Sequence, residues 1–168
     1  MQLHAATFTT PCGPFSVAVN AGGAVVATAF GELTALPARL AVTVQLIPDS
    51  LHLSAAVQLQ VAEYFTGQRS TFTVPMAAQG TAFQHRVWAG LAAIPFGETR
   101  SYGQLAAELG QASAARAIGR ANATNPLVLL VPCHRVIGAD GLLGGFAFGT
   151  DIKHQLLAHE GALLLRWR

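Results

Sequence analysis

The sequence predicts an α+β protein in which a small antiparallel sheet and one helix precede a mainly helical half. Three observations support this class. Short β-prone runs alternate with proline- and glycine-containing turns near the N-terminus, apolar residues recur at helical spacing through much of the second half, and the composition changes at Gly80. We therefore expect an N-terminal domain at residues 1–80 and a C-terminal domain at residues 81–168.

Three strands and two turns open the chain. Proline and glycine supply turns at 11–14 and 21–23, and two hairpin connections in a row favour an antiparallel meander. The first half also predicts two further strands and a helix that Ser54 caps and that runs to Phe65. The predicted strands are Leu3–Thr10, Phe15–Asn20, Ala24–Phe30, Val42–Ile47 and Thr71–Val74.

A pair of short helices follows in the second half. Ser101 and Gln104 form a capping-box pair at the start of the first helix, and Gly110 suits its C-terminal end. Ser113 is expected to cap the second helix, at residues 114–122. Two short helices joined by a tight, glycine-containing turn are typical of a helix-turn-helix, although many helical hairpins bind nothing.

One face of the second helix suits a large, smooth partner. Arg116 and Arg120 are four positions apart and lie on the outward side, with Ile118 facing the core. The side chains between the arginines are small, because this surface is formed by Ala115, Gly119 and Ala123. Such a face can approach a DNA groove or a partner helix, and these residues alone do not distinguish the two.

The most informative stretch begins at Asn125. An apolar run ends at Pro132, and Cys133 and His134 follow where the chain should emerge from the interior. Neighbours such as His134 and Arg135 favour a thiolate, whereas free cysteine is often just a small buried hydrophobe. Cys133 is therefore either a reactive nucleophile or a structural residue.

A glycine-rich loop and a last helix close the chain. The glycines between 138 and 149 suit either a loop that wraps a ligand or a plain surface loop. Thr150 is expected to cap the last helix, which ends near Glu160. An anion in the last turn has the wrong sign for the helix dipole. Glu160 is therefore either held by a histidine or arginine inside the fold or is a solvated glutamate.

Composition limits the possible functions. The chain has 168 residues, 52% of them hydrophobic and 11% charged, with a net charge of +2. This charge is too small to indicate a nucleic-acid-binding protein, so any DNA contact must come from locally placed arginines and backbone amides. No basic-then-apolar leader and no apolar run near the ~20 residues of a membrane span occur. We expect a cytoplasmic protein that does not bind membranes.

The cysteines and histidines indicate neither a disulfide framework nor a metal site. Cys12 and Cys133 lie far apart and without zinc-ligand spacing, which suits a reducing compartment. His154 and His159 are five positions apart and do not share a helix face well. We expect no metal and no cofactor.

Several motifs of the second half occur together in one known family. They are Pro132-Cys133-His134-Arg135-Val136-Ile137-Gly138, Asn125-Pro126, Ser101-Tyr102, Ala115-Arg116-Ala117-Ile118-Gly119 and the closing segment Lys153–Gly161. In this order they resemble the DNA repair alkyltransferases that act on O6-alkylguanine, the methylated-DNA–protein-cysteine methyltransferases. The resemblance covers about residues 80–161. The first half resembles the scaffold domain of the family more loosely, including a ribonuclease-H-like order of strands and helix.

The resemblance implies a catalytic group of four residues. Cys133 would be the thiolate that takes the alkyl group from guanine O6, and His134 would deprotonate it through a bridging water. Glu160 would orient the histidine and balance its charge, following the logic of nucleophile, base and orienting group. Asn125 would fix the helix-turn-helix against the active-site strand.

The resemblance also assigns residues to the substrate and to DNA. Tyr102 would help to turn the nucleotide and bond the guanine, and Arg116 would fill the gap left when the target nucleotide is flipped out. The backbone carbonyls of Cys133 and Val136 would read the guanine amino group. Further substrate-binding positions are Ala147 and Lys153, and further DNA-binding positions are Ser101, Ala115, Gly119 and Arg120.

The glycine-rich loop departs from the family pattern. Phe146 stands where a tyrosine is common, and Ala147-Phe148 stand where many relatives have serine or arginine and then a small or aromatic residue. Recognition of O6 would then depend on backbone amides and Tyr102. Phe148 would also narrow or reshape the pocket for bulky adducts.

The implied function is direct reversal of DNA damage by a monomer. The alkyl group of O6-alkylguanine in double-stranded DNA passes once and irreversibly to Cys133, while activity on O4-alkylthymine is left open. The alternative is a non-catalytic alkyltransferase-like lesion-binding protein, but such proteins commonly carry tryptophan in place of the cysteine. A helix-turn-helix transcription factor would need a dimer interface and would give no reason for Cys133, His134 and Glu160.

Overall fold

The computed structural model describes residues 1–162 and shows a mixed α+β protein with a small sheet and helices, as predicted. Residues 163–168, the end of the expected C-terminal domain, lie outside the described residues. The chain forms two compact units. One comprises Met1–Gly80 with Pro126–Leu130, and the other comprises Thr81–Asn125 with the chain from Val131 onward. No helix of residues 1–162 is long and apolar enough to cross a membrane.

The first unit contains a four-stranded sheet with the order β3-β2-β1-β4. Its strands are β1 (Gln2–Thr10), β2 (Gly13–Val19), β3 (Val25–Phe30) and β4 (Gln45–Pro48). The first three strands form the antiparallel meander that the turns predict. The fourth pairs with β1 in parallel, so the prediction of a wholly antiparallel sheet is wrong.

The connection between β3 and β4 explains the parallel pairing. It contains two 3-10 turns, Leu33–Ala35 and Pro37–Arg39, and leads from the β3 edge of the sheet to the β1 edge. A strand that arrives by a crossover can enter in the direction of its neighbour, whereas a tight hairpin reverses the chain. The prediction of a strand at Thr71–Val74 is also wrong. This stretch is irregular, and nearby only Met76 forms a bridge, to Val25.

Helix α1 (Ala55–Phe65) follows Ser54, as predicted. The Ser54 side chain makes no capping bond to the helix, because its hydroxyl bonds to the carboxylate of Asp49 instead. Asp49 also accepts hydrogen bonds from the backbone N–H groups of Leu53 and Ser54, so this carboxylate holds the start of the helix. The buried residues of the helix are Val57, Val61 and Tyr64.

The segment Pro126–Leu130 belongs to this first unit. The backbone N–H of Thr28 in β3 donates to the carbonyl of Pro126 at 2.8 Å, and the Thr28 hydroxyl donates to the carbonyl of Val128 at 2.8 Å. Thr28 also forms an isolated parallel bridge with Leu127. The apolar run ahead of Cys133 is therefore buried, as its composition indicates.

The second unit is mainly helical. Its elements are α2 (Ala82–Ala92), β5 (Arg100–Ser101), α3 (Tyr102–Glu108), α4 (Ala115–Ala123), β6 (Val136–Ile137) and α5 (Thr150–His159). The indole N–H of Trp88 in α2 donates to the carbonyl of Ala121 in α4 at 2.8 Å. Strands β5 and β6 pair in parallel, which places Tyr102 at the start of α3 near the chain that follows Cys133.

Two predicted helix caps of this unit are wrong. Ser113 does not cap α4, because Ala114 precedes the helix and makes no side-chain bond to it. A turn comes first, in which the Ala114 N–H donates to the carbonyl of Gln111 at 2.8 Å. Gly149, with φ of +93°, precedes α5, so Thr150 is the first helical residue rather than the cap. A glycine adopts this φ without the strain that a side chain would bring.

Candidate active site

Cys133 begins a single 3-10 turn, Cys133–Arg135, directly after Pro132. The residue is buried, with 4% of its surface exposed, and carries a thiol rather than a disulfide. Burial by itself suits a structural cysteine as well as a reactive one. The charged and hydrogen-bonding groups around the turn therefore determine what this thiol can do.

A buried network connects His134, Arg135 and Glu160. One carboxylate oxygen, Oε2, accepts from Nε2 of His134 at 2.8 Å and from Nη2 of Arg135 at 3.0 Å, while Oε1 accepts from Nε of Arg135 at 2.7 Å. The guanidinium also donates to the carbonyl of Ile94 at 2.6 Å and lies over the ring of Phe96. Glu160 is thus held inside the fold by both a histidine and an arginine, and is not a solvated glutamate.

The network determines the protonation state of His134. Complete burial lowers the pKa of the imidazole below its usual range, the charges of Arg135 and Lys153 lower it further, and Glu160 opposes the shift. The ring is therefore neutral at pH 7. Because Glu160 accepts at Nε2, the ring proton lies there and Nδ1 carries the lone pair. Nδ1 is buried without a hydrogen-bond partner among the described residues, so it can take a proton.

Lys153 is fully buried and holds two backbone carbonyls. Its Nζ donates to the carbonyl of Val136 at 2.6 Å and to that of Gly145 at 3.1 Å, which joins β6 to the glycine-rich loop. Burial lowers the pKa of Lys153 to about 8, and the negative charge of the Cys133 thiolate opposes this shift. The ammonium group in turn favours the thiolate form of Cys133.

The two backbone carbonyls expected to read a guanine amino group already accept hydrogen bonds. The carbonyl of Cys133 accepts from the N–H of Val136, and the carbonyl of Val136 accepts from Lys153. A carbonyl oxygen has two lone pairs. One existing hydrogen bond therefore does not by itself prevent a carbonyl oxygen from accepting a second one.

Tyr102 lies with its ring against α4. A Cβ atom built on Gly119 would stand 3.8 Å from the ring, which is ordinary van der Waals distance. Burial raises the pKa of the Tyr102 phenol, the charge of Cys133 raises it further, and a hydrogen bond with Asn122 opposes the rise. The preceding residue, Ser101, uses its hydroxyl in the predicted capping box of α3.

The outward side of α4 carries two arginines. Arg116 and Arg120 are exposed, while Ile118 is buried. Neither arginine forms an ion pair with another residue of the described part of the chain. Ala115 and Gly119, the small residues beside the arginines, are half-buried.

Asn125 is fully buried, and its Nδ2 donates to the carbonyl of Val131 at 2.9 Å. The bond joins the residues on either side of Pro126–Leu130. It therefore fixes the chain immediately ahead of Pro132 and Cys133.

The loop between residues 138 and 149 presents aromatic rings in place of the tyrosine hydroxyl common in the family. Phe146 and Phe148 pack edge to face with their ring centroids 5.7 Å apart. Ala147 between them is exposed, and the carbonyl of Gly145 is held by Lys153.

Two residues that the structure places in the site had no role predicted from the sequence. Arg135 was considered only as a cation beside Cys133. The unfavourable position of Glu160 at the end of α5 nevertheless indicated that a buried cation or histidine was needed. Asn122 carried no such signal, because its contact with Tyr102 joins two different helices. Together the site offers a thiol, a neutral imidazole, a paired carboxylate and a buried ammonium group. Within residues 1–162, no group of three or more His, Cys, Asp or Glu side chains is placed to hold a metal ion.

Comparisons with known proteins agree on one family. The family profile described as "6-O-methylguanine DNA methyltransferase, DNA binding domain" matches residues 82–162. The chain is 43% identical over 159 residues to the methylated-DNA–protein-cysteine methyltransferase of Mycobacterium tuberculosis (strain H37Rv), covering 95% of this chain and 93% of that protein.

Two solved structures are also similar. The crystal structure of Mycobacterium tuberculosis OGT in complex with DNA superposes with a TM-score of 0.81 at 38% identity, covering 95% of this chain and 93% of that one. The O6-methylguanine-DNA methyltransferase of Pyrococcus kodakaraensis superposes with a TM-score of 0.65 at 25% identity, covering 95% and 99%.

Proposed function

The chain belongs to the family of methylated-DNA–protein-cysteine methyltransferases, and we propose that it repairs O6-alkylguanine in double-stranded DNA with Cys133 as the alkyl acceptor. Its relatives are named for the transfer of a methyl group from DNA to a protein cysteine. The observation that supports this role for Cys133 is the buried network beside it. A neutral His134 is held by Glu160 and Arg135, with Lys153 near the thiol.

The first step is removal of the thiol proton. Nδ1 of His134 takes the proton, through a bridging water, and becomes an imidazolium that the Glu160 carboxylate stabilises. Arg135 keeps Glu160 ionised throughout, because it donates to both carboxylate oxygens. Lys153 favours the thiolate that results.

The second step is nucleophilic substitution at the alkyl carbon. The thiolate attacks this carbon, a sulfur–carbon bond forms, and the bond between carbon and guanine O6 breaks. The electron pair of the broken bond passes to the base, which takes up one proton to become guanine. The proton lost by the thiol balances this uptake. The thioether is stable, so each protein molecule acts once.

Helices α3 and α4 are the proposed helix-turn-helix, with α4 meeting the DNA. The target nucleotide must rotate out of the duplex, because a buried Cys133 cannot reach a base inside the stack. Arg116, exposed on α4, would fill the gap, and Tyr102 would contact the flipped base. The other proposed DNA contacts are Ser101, Ala115, Gly119 and Arg120.

We assign residues 1–80 to a scaffold domain of ribonuclease-H-like type and residues 81–168 to the DNA-binding and acceptor domain. The antiparallel meander followed by a parallel β4 supports the scaffold assignment. We also propose a cytoplasmic location, because a reducing compartment keeps the acceptor thiol of Cys133 free.

The alternative, a non-catalytic lesion-binding protein, is not favoured, since the relatives are named as methyltransferases. An experiment on the DNA product separates the two functions. A duplex with one O6-methylguanine is incubated with the protein, and its bases are then analysed by chromatography. We expect guanine to be restored by the wild-type protein and not by Cys133→Ala, which should still bind the duplex.

Cys12→Ala is the matched control, since Cys12 lies outside the site, in the turn between β1 and β2, and should be dispensable. Tight binding by the wild-type protein with the lesion unchanged would instead support the lesion-binding alternative.

A further inference from the structure

The two ends of α4 are held differently. At the start of the helix, Ala114 makes no side-chain bond to it. Near the other end, the carbonyl of Ala121 accepts from the indole N–H of Trp88 in α2 at 2.8 Å. The last four carbonyls of a helix have no partner in its own backbone ladder, and an indole N–H can only donate. Helix α2 therefore supplies a donor that the backbone of α4 does not supply.

A second side chain of α2 holds the same end. Nε2 of Gln84 donates to the hydroxyl of Thr124 at 3.1 Å, and this hydroxyl donates into the last turn of α4. The orientation of the Gln84 amide is determined, because its Oε1 accepts from the backbone N–H of Thr81 at 2.8 Å. Gln84 and Trp88 are four positions apart, so they lie on one side of α2.

Two bonds from α2 fix the direction of α4. Helix α4 could turn about a single hydrogen bond, whereas bonds to Ala121 and Thr124 hold its end at two points. Arg116 lies in the first turn, five residues before Ala121, which is about 7.5 Å along the helix axis. The position of Arg116 therefore depends on contacts at the opposite end of its helix.

We propose that Trp88 is a positioning residue for nucleotide flipping: together with Gln84 it holds the C-terminal end of α4, so that Arg116 meets the duplex at a fixed position. The inference rests on the proposed function, in which Arg116 fills the gap left by the flipped nucleotide. A misplacement of about 1 Å can slow a reaction by about a hundredfold. Loss of this support should therefore slow the reaction only where Arg116 is needed.

Two substitutions weaken the support. Trp88→Phe removes the indole N–H and keeps an aromatic ring, and Thr124→Val removes an exposed hydroxyl at nearly constant size. Reaction rates are measured with O6-benzylguanine in duplex DNA and with the free base, which needs no flipping. Each variant should slow the duplex reaction by about tenfold, the scale of one lost hydrogen bond. The reaction with the free base should be unchanged.

Thr66→Val is the matched control. Thr66 follows α1 as Thr124 follows α4, and its hydroxyl likewise donates to two carbonyls of the preceding helix, at 3.0 and 3.2 Å. Helix α1 belongs to the first unit and has no proposed contact with DNA. Thr66→Val should therefore change neither rate.

A double variant tests whether Trp88 acts through Arg116. In an Arg116→Ala background, Trp88→Phe should cause no further loss on duplex DNA, because the side chain that it positions is already absent. If Trp88→Phe does not fold, it loses both activities, and Thr124→Val in the same background then decides the question.

Three outcomes would overturn the inference. They are an unchanged duplex rate in both single variants, an equal loss on both substrates in Thr124→Val, and a full additional loss of rate in the double variant. Failure of the proposed function is a separate result. It would appear as absent alkyl transfer to Cys133 in the wild-type protein, or as a normal duplex rate in Arg116→Ala alone.

Discussion

Glu160 places a carboxylate at the C-terminal end of α5, where the helix dipole disfavours an anion. Two hydrogen bonds from Arg135 and one from His134 compensate for this position. Arg135 keeps the carboxylate ionised, and the carboxylate keeps the ring proton of His134 on Nε2. Arg135 therefore determines the reactive nitrogen of the proposed base indirectly, through Glu160.

Replacement of Arg135 should destabilise the protein strongly. Arg135→Leu removes the guanidinium that donates to both oxygens of the buried Glu160 carboxylate, and removal of one partner from a buried ion pair costs about 3–5 kcal/mol. Urea denaturation should show a loss of that size. The matched control is Arg100→Leu, whose partners Glu98 and Glu108 have side chains 53% and 51% exposed. Exposed pairs contribute about 0–1 kcal/mol, so equal losses in the two variants would contradict the network.

Lys153 should give the folding stability a pH dependence of known sign. Its pKa falls from the usual 10.5 to about 8 in the folded protein. Between these pH values the unfolded chain binds more protons at this residue than the folded chain, so the contribution of Lys153 to stability rises with pH. The rise is limited to about 3 kcal/mol.

The measurement compares the wild-type protein with Lys153→Met. The free energy of unfolding of the wild type, relative to that of the variant, should increase from pH 8 to 10.5. A difference that stays constant over this range would show that the folded protein does not lower the pKa of Lys153.

Part of the candidate site could be predicted from neighbouring residues in the sequence. Adjacent Cys133 and His134 indicated a nucleophile with a base, and the unfavourable charge of Glu160 indicated a buried partner. The sequence could not show whether a histidine or an arginine would hold Glu160, because either can donate to a carboxylate. In the structure both His134 and Arg135 do so. Asn122 was not predictable, since its hydrogen bond to Tyr102 depends on how α3 packs on α4.

At the scale of elements, α4 presents exposed arginines on one side and contacts Tyr102 with its half-buried Gly119. An intercalating arginine is needed only when a base must leave a duplex. Arg116→Ala should therefore react normally with free O6-benzylguanine and slowly with the same lesion in duplex DNA. Rates on the two substrates, measured from the loss of active Cys133, give the comparison.

Arg120→Ala is the matched control on the same helix. Arg120 is also exposed, and we expect it to contact the DNA backbone rather than to enter the base stack. Its loss should weaken binding and lower the salt dependence of the affinity by about one unit of slope, without a selective loss on duplex substrate. Equal effects of Arg116→Ala on both substrates would remove the flipping role from Arg116.

The elements themselves were predicted to different degrees. Turn residues located β1, β2 and β3 within a few positions, and the capping box located the start of α3, because both signals are local. The direction of β4 was not predictable from local sequence, since it depends on the crossover that precedes it. Ser113 resembled a cap, but a turn at Gln111–Ala114 moved the helix start beyond it.

At the scale of the whole molecule, the two compact units do not correspond to two continuous halves of the sequence. The segment Pro126–Leu130 lies in the second half of the sequence but belongs to the first unit through Thr28. Its apolar composition predicted burial and could not identify the partner, which is 100 positions away along the chain.

The net charge of +2 is also a property of the whole chain. It supports only modest non-specific attraction to DNA, so recognition must depend on the arginines and the pocket.

The most direct test of the account measures both reaction partners at once. The protein is incubated with an excess of duplex containing O6-methylguanine, and its intact mass, its modified peptide and the guanine formed are determined. We predict a gain of one methyl group on Cys133 and one guanine restored per protein molecule. A methyl group on Cys12 or another residue, or restoration of several guanines per protein molecule, would contradict the assignment of Cys133 as an acceptor that acts once.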